Sequence, residues 1–282
     1  MYSCIKLLRP SQWIKNLLLF IPLFFSGNIK ADSLIMVCAG IICFCIASSL
    51  GYILNDWIDK KKDINHPEKK NRPFAEGSIT PTEGFLIWVG LFFLLLFILL
   101  VFPFPYSFIL CLLCYLSLSI SYSLYFREIV LLDIFVISFG FLLRILAGGA
   151  VADVKVSKWL FMSIFFLSIL ISVAKRKSEI LMLKEDAGNY RKNLIRYRSE
   201  DLSKMLWVMA GVSLVVYALY CVEKKNDLIY SIIPATYGII RFCILAEQGK
   251  ASDPVELFLK DIQLVVVSAL FLIFIAIRIY AI

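Results

Sequence analysis

Charge is scarce in this chain, and histidine is nearly absent. Only 18% of the 282 residues are charged, and His66 is the single histidine. Without His or Cys ligands beside it, His66 reads as a loop residue rather than a metal ligand. No P-loop, GxGxxG or hydrolase triad occurs, which removes the common nucleotide-binding and acyl-transfer signatures. No ten-residue alternating strands occur either, which argues against a membrane β-barrel. Of the eight cysteines, Cys38, Cys43, Cys45, Cys111, Cys114, Cys221 and Cys243 lie in apolar runs and read as small hydrophobes. Cys111 and Cys114 have CxxC spacing but no second ligand pair. No A-x-A cleavage site follows Lys6, Arg9, Lys15 and the run LLLFIPLFF, so that run reads as a first helix rather than a signal peptide.

What is abundant is apolar surface: 61% of residues are hydrophobic and the mean hydropathy is +0.85. A bilayer span needs roughly 20 mostly apolar residues, and nine such runs are present, near 13–29, 33–57, 83–103, 105–125, 129–149, 156–175, 203–222, 229–246 and 262–281. The expectation is an all-α integral membrane protein, one domain over 1–282, with polar loops near 58–82 and 176–203. Pro103 and Pro105 mark a turn, and Gly148 and Gly149 the end of the fifth span. The net charge of +8 is gathered in loops rather than in a stripe with interleaved aromatics, so nucleic acid is a poor partner. With a cytoplasmic N-terminus, 21 Lys and Arg fall on that side against six on the other. The positive-inside rule then puts both long loops in the cytoplasm.

The strongest chemical feature is NDWIDKKKD, residues 55 to 63. At about 100° per residue on a helix, Asn55, Asp59 and Asp63 fall at about 0°, 40° and 80°, with Asp56 near 100°. One face therefore carries three carboxylates and an amide. Carboxylates that repel one another need a countercharge, and oxygen-only donors suit a hard cation such as Mg²⁺, which in turn bridges phosphate oxygens. A diphosphate leaving group is the natural ligand. The plainer alternative is a solvated helix end paired with Lys60, Lys61 and Lys62.

The segment HPEKKNRPFAEGSIT that follows adds Lys69, Lys70 and Arg72 among turn residues. NDxxDxxxD followed by HPxKxxRP and a Gly resembles the first aspartate-rich motif of the UbiA superfamily of intramembrane prenyltransferases. That resemblance implies nine transmembrane helices around a lipid-filled cavity and a Mg²⁺-bound diphosphate. LRPSQWIKNLLLFIPLFFSG, YSLYFREIVLLDIFVISFGFLLRILAGGAVA, SVAKRKSEI and RFCILAEQGKASDPVELFLKD are similar to the branch that moves phosphoribose onto a polyprenyl phosphate.

The resemblance implies Mg²⁺ on Asn55, Asp59 and Asp63, with Asp56 in support. It also implies 5-phosphoribosyl 1-diphosphate as donor, a polyprenyl phosphate as acceptor, and Arg72, Lys175 and Arg176 on phosphate oxygens. The expected location is the bacterial inner membrane, with the active site facing the cytoplasm; a homo-oligomer is left open. The chain departs from the quinone-type enzymes of that superfamily, which carry a second DxxxD after the sixth helix. Here stand Lys175, Arg176, Lys177 and Glu179, with Asp186 further on, and fewer acids with more cations suit a second phosphate. A rival with the same fold takes an isoprenyl diphosphate and an aromatic acceptor. A transporter would place its acids near the bilayer midplane rather than at the cytoplasmic edge.

Other polar residues leave alternatives open. Lys15 and Asn16, at the mouth of the first span, suit either substrate or an interfacial anchor beside Trp13. Arg144 interrupts a long apolar run and requires a cavity or an acid such as Asp133. Tyr122 lines the cavity by analogy or simply packs. Tyr190, Arg191, Arg196 and Tyr197 suit an amphipathic surface or a lid.

Overall fold

The computed structural model describes residues 2–64, 69–183, 196–224 and 228–280. Among them there is no β-strand, because apolar segments in lipid must satisfy their own backbone hydrogen bonds. The α-helices are α1 (Tyr2–Leu8), α2 (Ile21–Phe25), α3 (Ala31–Asp63), α4 (Pro73–Glu76), α5 (Pro81–Val101), α6 (Tyr106–Leu124), α7 (Leu132–Ala152), α8 (Lys158–Leu183), α9 (Ser199–Lys224), α10 (Ile232–Glu247), α11 (Pro254–Lys260) and α12 (Ile262–Tyr280). Eight of them, α3, α5 to α10 and α12, are long and apolar enough to cross a membrane; the span in α10 includes the 3-10 turn Leu228–Ser231 before it. The protein is a multi-pass membrane protein. The chain divides into two compact units, residues 1–136 with 140–156, and residues 137–139 with 157–282.

In the first unit, the run expected as a span over 13–29 takes another form: a 3-10 helix, Pro10–Phe20, continued by α2. Eleven residues at the steeper 3-10 rise and five at the α rise add to roughly 30 Å, the thickness of the hydrocarbon core. Eight long helices and this tighter segment thus stand where nine α-helical spans were expected. Runs of 3-10 helix this long are uncommon, and neighbours hold this one. Trp13 donates its indole N–H to Ser49 Oγ at 3.1 Å, Asn16 is fully buried, and Leu19 lies in the core with Phe44, Ala47, Phe108, Leu112 and Ala147.

The glycine pair expected to end the fifth span does other work. α7 runs on to Ala152, and Asp153 closes it in the left-handed conformation at φ 53°. A Cβ on Gly148 would strike the backbone carbonyl of Leu19, so this glycine lets the 3-10 segment approach α7 closely. α5 begins with a capping box between Thr80 and Glu83, behind Pro81 at its first turn. Apolar side chains left exposed on α5, including Leu86, Phe93, Phe97 and Leu100, suit hydrocarbon and not water.

In the second unit α8 packs along α9, and α10 packs with α8, α9 and α12. Its buried residues include Leu170, Val173 and Ala174 on α8, Leu202 and Leu206 on α9, and Cys243 and Ala246 on α10. Asp253 caps α11 by accepting from the backbone of Val255 and Glu256, and Asp261 Oδ1 accepts from Leu264 at 3.0 Å at the start of α12.

Gly148→Ala should lower the melting temperature of the purified protein in detergent, since overpacking against backbone costs about 1–3 kcal/mol. Gly90→Ala, where a Cβ meets nothing within 4 Å, should leave it unchanged or slightly raised. Equal melting of Gly148→Ala and wild type would remove the close-approach role.

Candidate active site

α3 continues unbroken through Asp63, so all of NDWIDKKKD is helical and the expected loop begins six residues later than 58. The acids lie in two layers along the helix face. Asn55 and Asp59, four residues apart, both accept from Arg127 Nη1, at 3.2 and 2.6 Å. Asp56 and Asp63, seven residues apart, lie on either side of Arg72 Nη1, at 3.0 and 2.6 Å. Asp56 is also gripped by Arg9, whose Nε donates to Oδ2 at 3.2 Å and whose Nη2 meets Oδ1.

Three carboxylates are thereby matched by three guanidiniums. Asp56, at the edge of the arc in projection, is the most deeply buried, with a side chain 1% exposed against 14% for Asp59. Arg9 reaches it from a left-handed backbone at φ 53° between α1 and Pro10, and lies over the Tyr52 ring at 5.0 Å. Burial, and then the neighbouring Arg9 cation, lowers the pKa of the Arg72 guanidinium from its ordinary value, while Asp56 and Asp63 raise it.

The donor chemistry fits a hard divalent cation. Two oxygens from Asn55 and Asp59 converge on one cationic nitrogen, and two from Asp56 and Asp63 converge on another. Of the three expected ligands, Asn55 and Asp59 share Arg127, whereas Asp63 shares Arg72 with Asp56. Among the described residues no three His, Cys, Asp or Glu side chains form a closed metal cage. Mg²⁺ does not require one, because it is commonly held by one or two carboxylates, water and substrate phosphate.

A second polar centre in the same unit lies deeper along α3. Arg144, 5% exposed, donates Nε to Asn16 Oδ1 at 2.7 Å, Nη1 to the Gly140 carbonyl at 2.8 Å and Nη2 to Tyr115 Oη at 2.9 Å. None of these partners is an acid, and Asp133 is not among them. Asn16 in turn donates to Cys45 Sγ and Ser48 Oγ, at 3.3 and 3.4 Å. Lys15 and Tyr122 are half-buried.

In the second unit the KRKSE segment is helical, on α8, and the polar stretch expected over 176–203 again starts later. Arg176 is fully buried and donates to Glu179 Oε2 at 2.5 Å; Lys175 is half-buried. Lys177 and Ser178 tie helices together. Lys177 Nζ meets Glu247 Oε2 at 3.0 Å, the Ser199 carbonyl at 3.0 Å and Ser203 Oγ. Ser178 Oγ accepts from the Ala251 backbone at 3.0 Å. A positive-inside anchor would snorkel to water, and burial of both Arg176 and Lys177 excludes that account of them. Tyr197 is buried and Arg196 exposed; His66, Asp186, Tyr190 and Arg191 lie outside the described residues.

The model of the UbiA prenyltransferase family matches residues 17–279. The chain belongs to the UbiA prenyltransferase family. Decaprenyl-phosphate phosphoribosyltransferase of Mycolicibacterium smegmatis is 31% identical over 91% of this chain and 86% of its own length. The Corynebacterium glutamicum protein of the same name is 28% identical over 91% of this chain and 80% of its own length. A solved UbiA homolog from Archaeoglobus fulgidus, bound to DMAPP and Mg²⁺, superposes with a TM-score of 0.73 at 18% identity, covering 99% of each chain. As a UbiA-family transferase, the chain has the all-helical architecture its acidic motif implied.

Sequence reasoning counted Arg9 and Arg127 only as loop charge. The available signal was positional, since both belong by topology to the side of the membrane where the acids end. Asp56→Ala would leave the half-buried Arg9 and Arg72 facing one another with Asp63 alone to offset their charge, and the roughly 3–5 kcal/mol cost of breaking a fully buried pair is the upper bound. Its melting temperature should fall further than that of Asp59→Ala, whose site is more open to water. The reverse order would mean that the Arg9, Asp56 and Arg72 cluster does not hold this end of α3.

Proposed function

We propose that this protein transfers phosphoribose from 5-phosphoribosyl 1-diphosphate to a polyprenyl phosphate, releasing diphosphate. The observation that carries the reading is the interleaving of Asp56, Asp59 and Asp63 with Arg9, Arg72 and Arg127 at the end of a membrane helix. It is supported by relatives named as phosphoribosyltransferases over nine-tenths of the chain. With acids and guanidiniums balanced, the site can take in a divalent cation on the carboxylates and a polyanion on the guanidiniums while staying near neutrality.

Asn55 and Asp59, with Asp63 and Asp56, are the residues for Mg²⁺. Bound there, the ion would neutralise negative charge on the departing diphosphate. Arg72, Arg127 and Arg9, freed from their acids, would donate to phosphate oxygens in a charge-assisted way. From the second unit we assign Lys175 and Arg176 to phosphate as well, with Glu179 orienting Arg176; Lys15 and Tyr122 are assigned to substrate contact.

The lipid-phosphate oxygen attacks the anomeric carbon as the bond from that carbon to diphosphate breaks, its electron pair leaving with the diphosphate oxygen. In-line displacement inverts the configuration. A phosphate monoester is a competent nucleophile near neutral pH, so no side chain has to remove a proton, and positioning and electrostatics carry the rate.

The decisive experiment incubates purified protein and Mg²⁺ with labelled phosphoribosyl diphosphate and polyprenyl phosphate, in parallel with an isoprenyl diphosphate and an aromatic acid. Product is expected only in the first mixture, and EDTA or Asp59→Ala should abolish it. Product only in the second would replace this reading by aromatic prenylation, and full activity in EDTA would remove the metal.

We place the chain in the bacterial inner membrane with the acidic end of α3 in the cytoplasm, on the strength of its Lys and Arg asymmetry. In a variant with the exposed Cys4, Cys38 and Cys114 replaced by Ser, Ser78→Cys should react with an impermeant thiol reagent only from the cytoplasmic side. Labelling from outside intact cells would invert the orientation.

A further inference from the structure

Among the described residues, no carboxylate pairs with Arg144. It lies within α7, eight residues before Ala152 and twelve after Leu132, on a helix long and apolar enough to cross a membrane. Its three hydrogen-bond partners are an amide, a backbone carbonyl and a phenol, and its guanidinium also lies 4.5 Å from the Tyr115 ring centroid and 5.7 Å from that of Phe141. Neutral dipoles orient a buried guanidinium but leave its charge uncompensated, and an unpaired charge away from water is costly enough to need a reason. A guanidinium has five N–H donors. Three are committed here, through Nε, Nη1 and Nη2, which leaves one on each terminal nitrogen. One N–H on each of two adjacent nitrogens is the fork that a guanidinium uses to grip two oxygens of one phosphate.

We infer that Arg144, oriented by Asn16 and Tyr115, is the anchor for the phosphate of the lipid acceptor. This rests on the phosphoribosyl reading and goes beyond it, by separating an acceptor site from the donor site at Asn55 to Asp63. The placement fits. Asn16, which holds Arg144, is itself tied to Ser48, seven residues before Asn55 on α3 and hence about 10 Å deeper along the helix.

In an in-line displacement the attacking oxygen and the leaving oxygen lie on opposite sides of one carbon, with the attacker about 3–3.5 Å from it. Two phosphates flanking a sugar therefore belong at separate levels. The deeper level is the one a headgroup reaches while its chain remains in hydrocarbon. A 5-phosphate on the water-soluble donor offers the same chemistry, so the two sources must be told apart.

The test measures binding to the full-length protein in detergent of a polyprenyl phosphate, the matching polyprenol and phosphoribosyl diphosphate, for wild type, Arg144→Met and Arg144→Lys. Wild type should prefer the phosphate to the alcohol. Arg144→Met should erase that preference, weakening polyprenyl phosphate on the order of ten- to hundred-fold with donor affinity held within about two-fold. Arg144→Lys, which keeps charge but not the fork, should fall between them.

Loss of donor affinity with lipid-phosphate affinity kept would assign the anion to the donor and overturn the inference. An Arg144→Met protein indistinguishable from wild type would make Arg144 structural and overturn it equally, leaving the phosphoribosyl reading intact. A wild type that does not tell phosphate from alcohol would sink both. Should Arg144→Met fail to fold, Asn16→Ala serves instead: a rise in KM for polyprenyl phosphate without a rise for the donor supports the inference, and equal rises overturn it.

Discussion

The compensation of three carboxylates by three guanidiniums at the end of α3 is the constraint on which the first unit is built. Asp56 and Asp63 cannot be buried beside one another as free anions, because removing such charges from water costs several kcal/mol each. Arg9 and Arg72 make their burial tolerable. To deliver those guanidiniums the chain accepts a left-handed Arg9 before Pro10 and a turn at Arg72 into α4. Arg127 arrives separately, from the 3-10 turn Phe126–Glu128 after α6, to meet Asn55 and Asp59. Three separate segments are thus pinned to one helix end by charge, where hydrophobic burial alone would leave their register free.

The same arrangement suits the anionic substrates of the proposed reaction. A cleft of bare arginines would bind any polyanion, and a cleft of bare aspartates would repel a diphosphate. Paired, each set screens the other, and in the proposed reading a metal and a phosphate would each take over from the opposite set, which would couple the recognition of the two through charge. Deeper in the unit the logic differs. Arg144 is held by neutral dipoles and aromatic faces, so its charge is oriented without being cancelled.

In the second unit, polar groups divide between joining helices and carrying charge. Lys177, Ser203, Glu247 and Ser178 link α8, α9, α10 and the segment after it. Arg176, fully buried, and Glu179, half-buried, form an ion pair on other faces of the same turn of α8. Adjacent residues of one KRKSE motif therefore do unlike work, because successive residues on a helix point about 100° apart.

The sequence by itself determined the class of protein, since runs of apolar residues bounded by turn signals and by clusters of Lys and Arg dictate membrane helices whatever the tertiary contacts. It also placed Asn55, Asp56, Asp59 and Asp63 on one helix, because that depends only on local periodicity. Only tertiary structure decided which acids share a cation: projection groups Asn55, Asp59 and Asp63, while Arg72, from the turn after α3, and Arg127, from far along the chain, divide them into Asn55 with Asp59 and Asp56 with Asp63. It likewise turned Gly148 from an expected helix end into a place where backbone meets backbone, and wound the expected first span as a 3-10 helix. Periodicity reports the face on which a residue lies. What that face meets is set by long-range packing and charge pairing, which no local pattern encodes.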